Sequence, residues 1–338
     1  MKNYTKQRVR YFARRLHRIF RDRNSFAFFI KAMTIEISKD LKIPGVDNNE
    51  EFKKWIAGRK IEGDVSIGES FGVGLYYTAG SSNTAEKEEE DPTILRVPST
   101  SSLNMDTLLN LLTRLKLRDK ELDARLKESE VIIKFLEILN PGTETIILLA
   151  YLLAFEFLRQ KGDKTSSYYE TSPLRNWDTY LDILFLTKVF SFDIHNDNPY
   201  AASFGELREI VLAEYEEFIT EAKEAIPDAY IADDIPFDKF FQLFQAVRSR
   251  SLEIPKEAEG GNPDSEFQTN VTLVPILDFA NHNRENNAYF DVDRENFDIV
   301  LKLKRDAIKE EPFEVTISYD PVDTKPEFYL TYGFLTET

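Results

Sequence analysis

The feature that most limits how this chain can fold is the distance between its two β-forming regions. Val65-Ser-Ile67, the glycine-bearing Phe71-Gly-Val-Gly-Leu-Tyr-Tyr77 and Thr93-Ile-Leu-Arg-Val-Pro98 lie toward one end. Val271–Leu277, Tyr289–Val292, Asp298–Leu303 and Val315-Thr-Ile-Ser-Tyr-Asp320 lie toward the other. From about Met105 to Leu252 the apolar residues recur instead at helical spacing. Neither β region is large enough to be stable alone, so the two must pair into one sheet system across the helical stretch. The expected class is therefore α+β, with small sheets interrupted by a long helical insertion. The implied division is a lead-in at 1–49, a first β part at 50–104, the insertion at 105–252 and a second β part at 253–338.

Helices are legible from pattern. Glu50–Ala57 is a short amphipathic helix ending near Gly58. Leu108, Leu109, Leu111, Leu112 and Leu115 form one stripe, and Pro141-Gly-Thr-Glu-Thr145 supplies a turn with a threonine N-cap before the helix Ile146–Arg159. Residues 206–225 place Leu207, Ile210, Leu212, Tyr215 and Phe218 inside, and Phe237–Arg250 follows Pro236 with Phe240, Phe241, Phe244 and Val247 on one face. These aromatic stripes read as core. Residues 80–92 and 255–269 read as polar, flexible loops.

Residues 5–23 form a basic amphipathic helix, with Val9, Phe12, Leu16, Ile19 and Phe20 at helical spacing and arginines between them. It is read as a leading helix packed on the domain, against a mitochondrial targeting segment and a membrane- or partner-binding arm. The location expected is cytoplasmic or nuclear, with mitochondrial as the competing assignment.

Composition narrows the chemistry. The chain has no Cys and three His (His17, His195, His282), which excludes disulfides, thiolate zinc sites and cysteine nucleophiles and leaves too few histidines for a His-rich metal centre. Net charge is −16, but residues 1–31 carry ten Lys/Arg against Asp22, a net +9 that leaves −25 for the remainder. An acidic body argues against nucleic-acid binding and suits a basic protein partner. The longest apolar run, Ile146–Phe155, is ten residues and stops at Glu156, short of the about 20 that a membrane-spanning helix needs.

Three stretches near the end carry the chemistry: Leu273-Val-Pro-Ile-Leu-Asp-Phe-Ala-Asn-His-Asn283, then Tyr319 at the close of a β-rich segment, then Tyr329-Leu-Thr-Tyr-Gly-Phe334 as an aromatic turn. Asn281 and His282 follow an apolar strand and should be substantially buried, so both need partners. Gly72 and Gly74 let backbone be approached closely, although a plain β-turn pair has the same look.

Four motifs in this order, Gly72-Val-Gly-Leu75, Arg248-Ser-Arg-Ser251, Asp278-Phe-Ala-Asn-His-Asn283 and Ile317-Ser-Tyr319 with Tyr332-Gly-Phe334, split by a helical insert, resemble the SET-domain protein lysine methyltransferases. The likeness is to the class typified by the plant Rubisco lysine methyltransferase, near which fungal enzymes acting on ribosomal proteins, elongation factors and cytochrome c belong. It covers about residues 50–338. It implies a β-rich SET fold and S-adenosyl-L-methionine as cofactor, held by Gly72, Val73, Gly74, Leu75, Arg250, Asn281 and His282. It also implies a lysine channel walled by Asp278, Arg250, Tyr319 and Tyr332, with backbone carbonyls near Arg250 and Asp278 contacting the polarised methyl group. Tyr319 is the expected catalytic residue, orienting the amine without acting as a strong base, and Tyr332 a second channel wall.

The resemblance implies methylation of a non-histone protein such as a ribosomal or translation protein. Histidine methylation and a non-catalytic SET-like interaction module are the alternatives. No zinc is expected, because the Cys-rich module of histone-directed relatives is absent. The chain departs from the class at Phe71, at Pro312-Phe313 and at Lys325-Pro-Glu-Phe-Tyr329, where Glu327 is kept. The class usually continues past Tyr-Gly-Phe into a helical substrate-binding domain. Here Leu335–Thr338 follow, and the expectation is a fragment or a reduced member.

Overall fold

Strands from both ends of the sequence pair with each other. The structure is a computed structural model that describes residues 35–70, 72–78, 90–121, 126–186, 199–226, 231–256, 268–309, 312–319 and 325–334. The strands are β1 (Glu36–Ile37), β2 (Glu62–Gly63), β3 (Val65–Ser70), β4 (Gly72–Tyr77), β5 (Thr93–Val97), β6 (Ser251–Lys256), β7 (Gln268–Leu273), β8 (Asn281–His282), β9 (Ala288–Val292), β10 (Ile299–Leu303) and β11 (Phe313–Ile317). One sheet runs β1-β3-β4-β11-β8, a second β2-β5-β10-β9, and β6-β7 is a hairpin. The required pairing across the insertion therefore occurs twice, at β4–β11 and at β5–β10, in two sheets rather than one.

The longer helices are α1 (Asn49–Gly58), α2 (Met105–Glu121), α3 (Glu128–Leu139), α4 (Glu144–Lys161), α5 (Asp178–Leu186), α6 (Ala201–Ala225), α7 (Phe237–Arg250) and α8 (Lys325–Tyr332). Helix α1 starts where the Asn48 side chain accepts from the Glu50 and Glu51 amides, with both acids at the positive end of the helix dipole. Phe52 and Ile56, four residues apart, are the face it buries. Thr143 caps α4 by accepting from the Ile146 amide, as its position before the apolar run predicts. Two apolar clusters result. One joins α2 to α7 and includes Phe135, Phe155, Phe218 and Phe240; the other lies among the sheets around Ile67, Leu75, Leu95, Leu301 and Val315.

Several expectations are corrected. The helical stretch stops at Arg250, because Ser251–Lys256 pairs with Gln268–Leu273 as a hairpin, so part of the expected 255–269 loop is strand. The strand expected over Val271–Leu277 ends at Leu273, since Pro275 lacks a ladder donor and Ile276 turns the chain with φ 73°. Lys325–Tyr332 is helix where an aromatic turn was expected, and the turn is confined to Gly333 with φ 80°. Leu109 and Ile210 are exposed, each on the outer edge of its helix stripe. The basic segment 5–23 lies outside the described residues. Among the described residues no helix is long and apolar enough to cross a membrane.

Glu156 ends the apolar run without ending the helix. It is fully buried inside α4, where Lys239, Gln160 and Arg159 all donate to it, and Arg159 in turn reaches Asp182. Burial pushes this carboxyl upward, but the bonds from Lys239 and Gln160 and the charge of Arg159 outweigh it and hold it below the ordinary 4.5. Its contribution to stability is thus present above that value and lost as pH falls through the folded-state value. Glu156→Ala is expected to lower the unfolding free energy by about 3–5 kcal/mol, because the cations remain buried without their partner. Urea denaturation at pH 7 measures this, and the gap from wild type should narrow below pH 4.5.

Candidate active site

The order β4-β11-β8 brings residues about two hundred positions apart into adjacent strands. Strand β11 pairs antiparallel with β4 through Val315 and Leu75, and parallel with β8 through Thr316 with Asn281 and Ile317 with His282. Val315 and Ile317 point into the core, which leaves Glu314 and Thr316 on the other face. β8 is two residues long, so part of the β11 edge needs another partner. Asn287 takes that place, donating to the Glu314 carbonyl at 2.7 Å and accepting from the Thr316 amide at 2.8 Å.

Glu314 links three strands. Its Oε1 accepts from Ser70 Oγ at 2.6 Å and from Asn281 Nδ2 at 2.7 Å, and Asn281 Nδ2 also donates to the Val73 carbonyl at 3.3 Å. Both amide hydrogens of Asn281 are thereby used, which turns Oδ1 into the atom with acceptor capacity to spare. Gly74 sits under this knot. A Cβ there would lie 2.8 Å from Ser70 Cβ, 2.9 Å from Glu314 Oε1 and 3.2 Å from Asn281 Nδ2. At Gly72, φ is +111° and a Cβ would meet nothing within 4 Å. The first glycine thus supplies a conformation beside open space, and the second supplies room for a hydrogen-bond knot. Leu75 is in the core, so the strand offers its backbone rather than this side chain.

His282 and Tyr319 hold each other. The Tyr319 amide donates to His282 Nδ1 at 3.1 Å, and the Tyr319 hydroxyl donates to the Ala280 carbonyl at 3.0 Å. With Nδ1 accepting, the proton of the neutral ring is on Nε2. Burial, and then the charge of Arg284, lower the imidazole below its usual value, which keeps that neutral form at pH 7. Burial also raises the Tyr319 hydroxyl far above its ordinary range, so it remains protonated. Tyr319 lies two residues beyond β11. Its ring is 4.7 Å from that of Tyr332 and 5.3 Å from that of His282, and Phe328 approaches both Tyr332 (4.7 Å) and His282 (5.1 Å). Phe334 completes this wall from its exposed side.

Arg250, the last residue of α7, is the helix-terminal arginine that the sequence implies, and it also meets Asp278. Its Nη1 donates to Asp278 Oδ2 at 2.9 Å and to the Asp278 carbonyl at 3.2 Å, while Tyr180 of α5 donates to the same Oδ2 at 2.9 Å. Asp278 is wholly enclosed, and burial raises its carboxyl despite the guanidinium beside it. Two residues further on the chain reaches Ala280, whose carbonyl receives Tyr319.

The ten residues singled out from the sequence, Gly72, Val73, Gly74, Leu75, Arg250, Asp278, Asn281, His282, Tyr319 and Tyr332, thus fall in one neighbourhood, Tyr332 lying against Tyr319. Asn281 and His282 are half-buried rather than deeply buried, because they follow a 3-10 turn (Leu277–Phe279) at the sheet edge instead of an interior strand. Sequence reading missed Glu314, Ser70, Asn287 and Tyr180. Alternation along Phe313–Ile317 was the available signal for Glu314, an acid on the face opposite the apolar residues. Nothing local marks the other three.

The fold aligns with the SET domain of LSMT bound to lysine and AdoHcy, with a TM-score of 0.50 at 17% identity over 85% of this chain and 57% of that one. The architecture is therefore of the SET class. The sequence model described as cytochrome c lysine N-methyltransferase 1 matches residues 58–338, and the chain belongs to that family. Among its relatives, the cytochrome c lysine N-methyltransferase 1 of Saccharomyces cerevisiae is 30% identical over 273 residues, covering 78% of this chain and 44% of that protein. The protein of the same name from Eremothecium gossypii is 34% identical over 265 residues, covering 74% and 50%. The chain spans about half the length of these relatives.

The knot at Gly74 yields a prediction. Gly74→Ala must displace Ser70 or the Glu314–Asn281 bond, at a cost of about 1–3 kcal/mol for overpacking. Differential scanning calorimetry should record a lower Tm, and Ser70→Gly in the same chain should restore part of it by vacating the nearest contact.

Proposed function

We propose that the chain is an S-adenosyl-L-methionine-dependent protein-lysine N-methyltransferase whose substrate is cytochrome c. The observation that carries the reading is the convergence of the Gly72–Leu75 backbone, Asn281, His282 and Tyr319 around the adjoining strands β4, β11 and β8, in a chain of this family. Cytochrome c stands in the names of the relatives, whereas a ribosomal or translation protein finds no support there. The acidic charge of the chain suits an approach by a lysine-rich protein surface.

The residues present fit the cofactor. Open space above Gly72, an acceptor at Asn281 Oδ1 and a donor at His282 Nε2 suit a molecule with an ammonium group and a polar base. When bound, S-adenosyl-L-methionine supplies an electrophilic methyl on a sulfonium. The protein's task is then to hold a neutral amine in line and keep water out. A lysine amine with a reference pKa near ~10.4 is protonated at neutral pH. The wall of Tyr319, Tyr332, Phe328 and Phe334 disfavours that charged form by desolvation, which releases the lone pair. The protonated Tyr319 hydroxyl orients the amine by hydrogen bonding and is no base. Glu314 acts through Asn281, and the Arg250–Asp278 pair acts through the turn it anchors; both are positioning groups.

Calorimetry should detect S-adenosyl-L-methionine binding by the wild type and its loss in Asn281→Ala. With labelled cofactor, cytochrome c should acquire methyl groups on lysine. Tyr319→Phe should bind the cofactor normally and transfer about 10²-fold more slowly, the order expected for losing one oriented hydrogen-bonding group, here the hydroxyl oxygen that accepts from the amine while its proton goes to the Ala280 carbonyl. Absence of cofactor binding by the wild type overturns the reading. Label on histidine, or binding with no transfer to cytochrome c or extract proteins, replaces it with a histidine methyltransferase or a non-catalytic module.

A further inference from the structure

A cavity lies at the end of α1, lined by Trp55, Gly58, Arg59, Lys60, Thr100, Ser101 and Asn176. None of its lining residues is acidic. The Arg59 guanidinium is stacked 3.7 Å from the ring centre of Trp177 and 5.1 Å from that of Trp55. One of its N–H groups donates to the Asn176 carbonyl, which Trp55 Nε1 also reaches at 3.0 Å. That shared acceptor fixes the rotation of the fork. The remaining donors of Arg59 have no carboxylate partner among the described residues.

This is unusual for its setting. The chain holds 59 acidic residues against 43 Lys/Arg, and among the described residues Arg118, Arg159, Arg175 and Arg250, part-buried like Arg59, are each ion-paired. Arg59 is instead lowered by burial to about 10, with no negative group opposing the shift. A guanidinium lying over the Trp177 ring and beside Trp55, with donors left over from its bond to Asn176, can present parallel N–H groups that match a planar or tetrahedral oxyanion. Lys60, held beside it with φ 56°, adds a second positive charge at the rim, and the exposed Thr100 adds a hydroxyl. Ser101 Oγ donates to the Arg59 carbonyl at 2.8 Å, which keeps the backbone under the guanidinium in place.

We propose that this cavity binds an oxyanion, a carboxylate or a phosphate group, through the Arg59 fork. The site is separate from the sheet edge that carries Asn281, His282 and Tyr319, and the inference does not depend on the methyl-transfer reading.

The chain's two tryptophans, Trp55 and Trp177, are the rings that flank Arg59, so intrinsic tryptophan fluorescence reports on this site alone. The full chain is titrated with inorganic phosphate and, separately, with acetate, at ionic strength held constant with chloride. A saturable change is expected with at least one of them, weakened about tenfold in Arg59→Lys, which keeps the charge but loses the fork, and abolished in Arg59→Gln. Lys60→Gln and Thr100→Val, both at the exposed rim, guard against misfolding of the Arg59 variants and should weaken binding while circular dichroism stays unchanged. The stronger of the two anions identifies the group as phosphate or carboxylate. A response no larger than that to chloride, or one equal in wild type and all the variants, overturns the proposal.

Discussion

The candidate active site depends on a buried ion pair. Arg250 closes the last helix of the insertion, Asp278 opens the stretch that leads to Asn281 and His282, and Tyr180 joins them from α5. Two charges taken out of water do not add much stability by attraction alone, but removing either one strands the other at a cost of about 3–5 kcal/mol. The pair thus acts as a constraint on geometry. It holds the turn at Ile276, where a β-branched residue adopts φ 73° and ψ −47°, a conformation that costs on the order of 1–3 kcal/mol. Without an anchor that turn would relax, and the two-residue strand that follows has too few ladder bonds to keep its own position. The helical insertion is therefore part of what shapes the site, through Arg250 and Tyr180, which both bond Asp278.

The sheet supplies the other half of the constraint. Strand β11 has β4 on one side and β8 on the other, so a single strand sets the distance between the glycine-bearing backbone and the Asn-His pair. Glu314 and Asn287 reinforce it with side-chain bonds at places where strand pairing is incomplete. This explains why the two halves can be about two hundred residues apart in sequence. Pairing register fixes their relation, and that register is strongly specified because Leu75, Val315 and Ile317 are core residues that a one-residue slip would expose.

Much of this was legible in the sequence because its causes are local. Thr143 before Ile146–Arg159, Pro236 before Phe237–Arg250 and the β-branched, apolar run Ile299–Leu303 each state their element in the residues themselves. The motif residues Gly72, Gly74, Arg250, Asp278, Asn281, His282 and Tyr319 could be singled out as a set, and the fold gathers them. What could not be read was long-range. The pairing of Ser251–Lys256 with Gln268–Leu273 depends on a partner strand, and Pro255 near the end of the first strand argued for a loop. The helix at Lys325–Tyr332 has a weak pattern of its own, and its buried Phe328 and Tyr329 find their contacts in His282 and Tyr200, far apart in sequence. Asn287 acts through two hydrogen bonds and Tyr180 through one, and these leave no periodic trace.

The protonation states of the site, taken together, favour a particular kind of ligand. His282 is neutral, Tyr319 keeps its proton, and Arg250 and Asp278 cancel each other out of reach of solvent. The carboxylate of Glu314 remains, beside Asn281 and behind the opening above Gly72. A neutral, ring-walled chamber with one carboxylate at its back repels an anion weakly and accommodates a cation well, and its rings add cation–π attraction. A positively charged sulfonium and a lysine amine that must shed its proton would meet opposite treatment there. The sulfonium keeps its charge whatever its surroundings, and Glu314 offsets part of it. The amine can lose its charge, and both desolvation and the neighbouring sulfonium press it to do so. On the proposed reading the same electrostatic arrangement would thus retain the methyl donor and neutralise the acceptor, with Tyr319 keeping its proton rather than serving as the base.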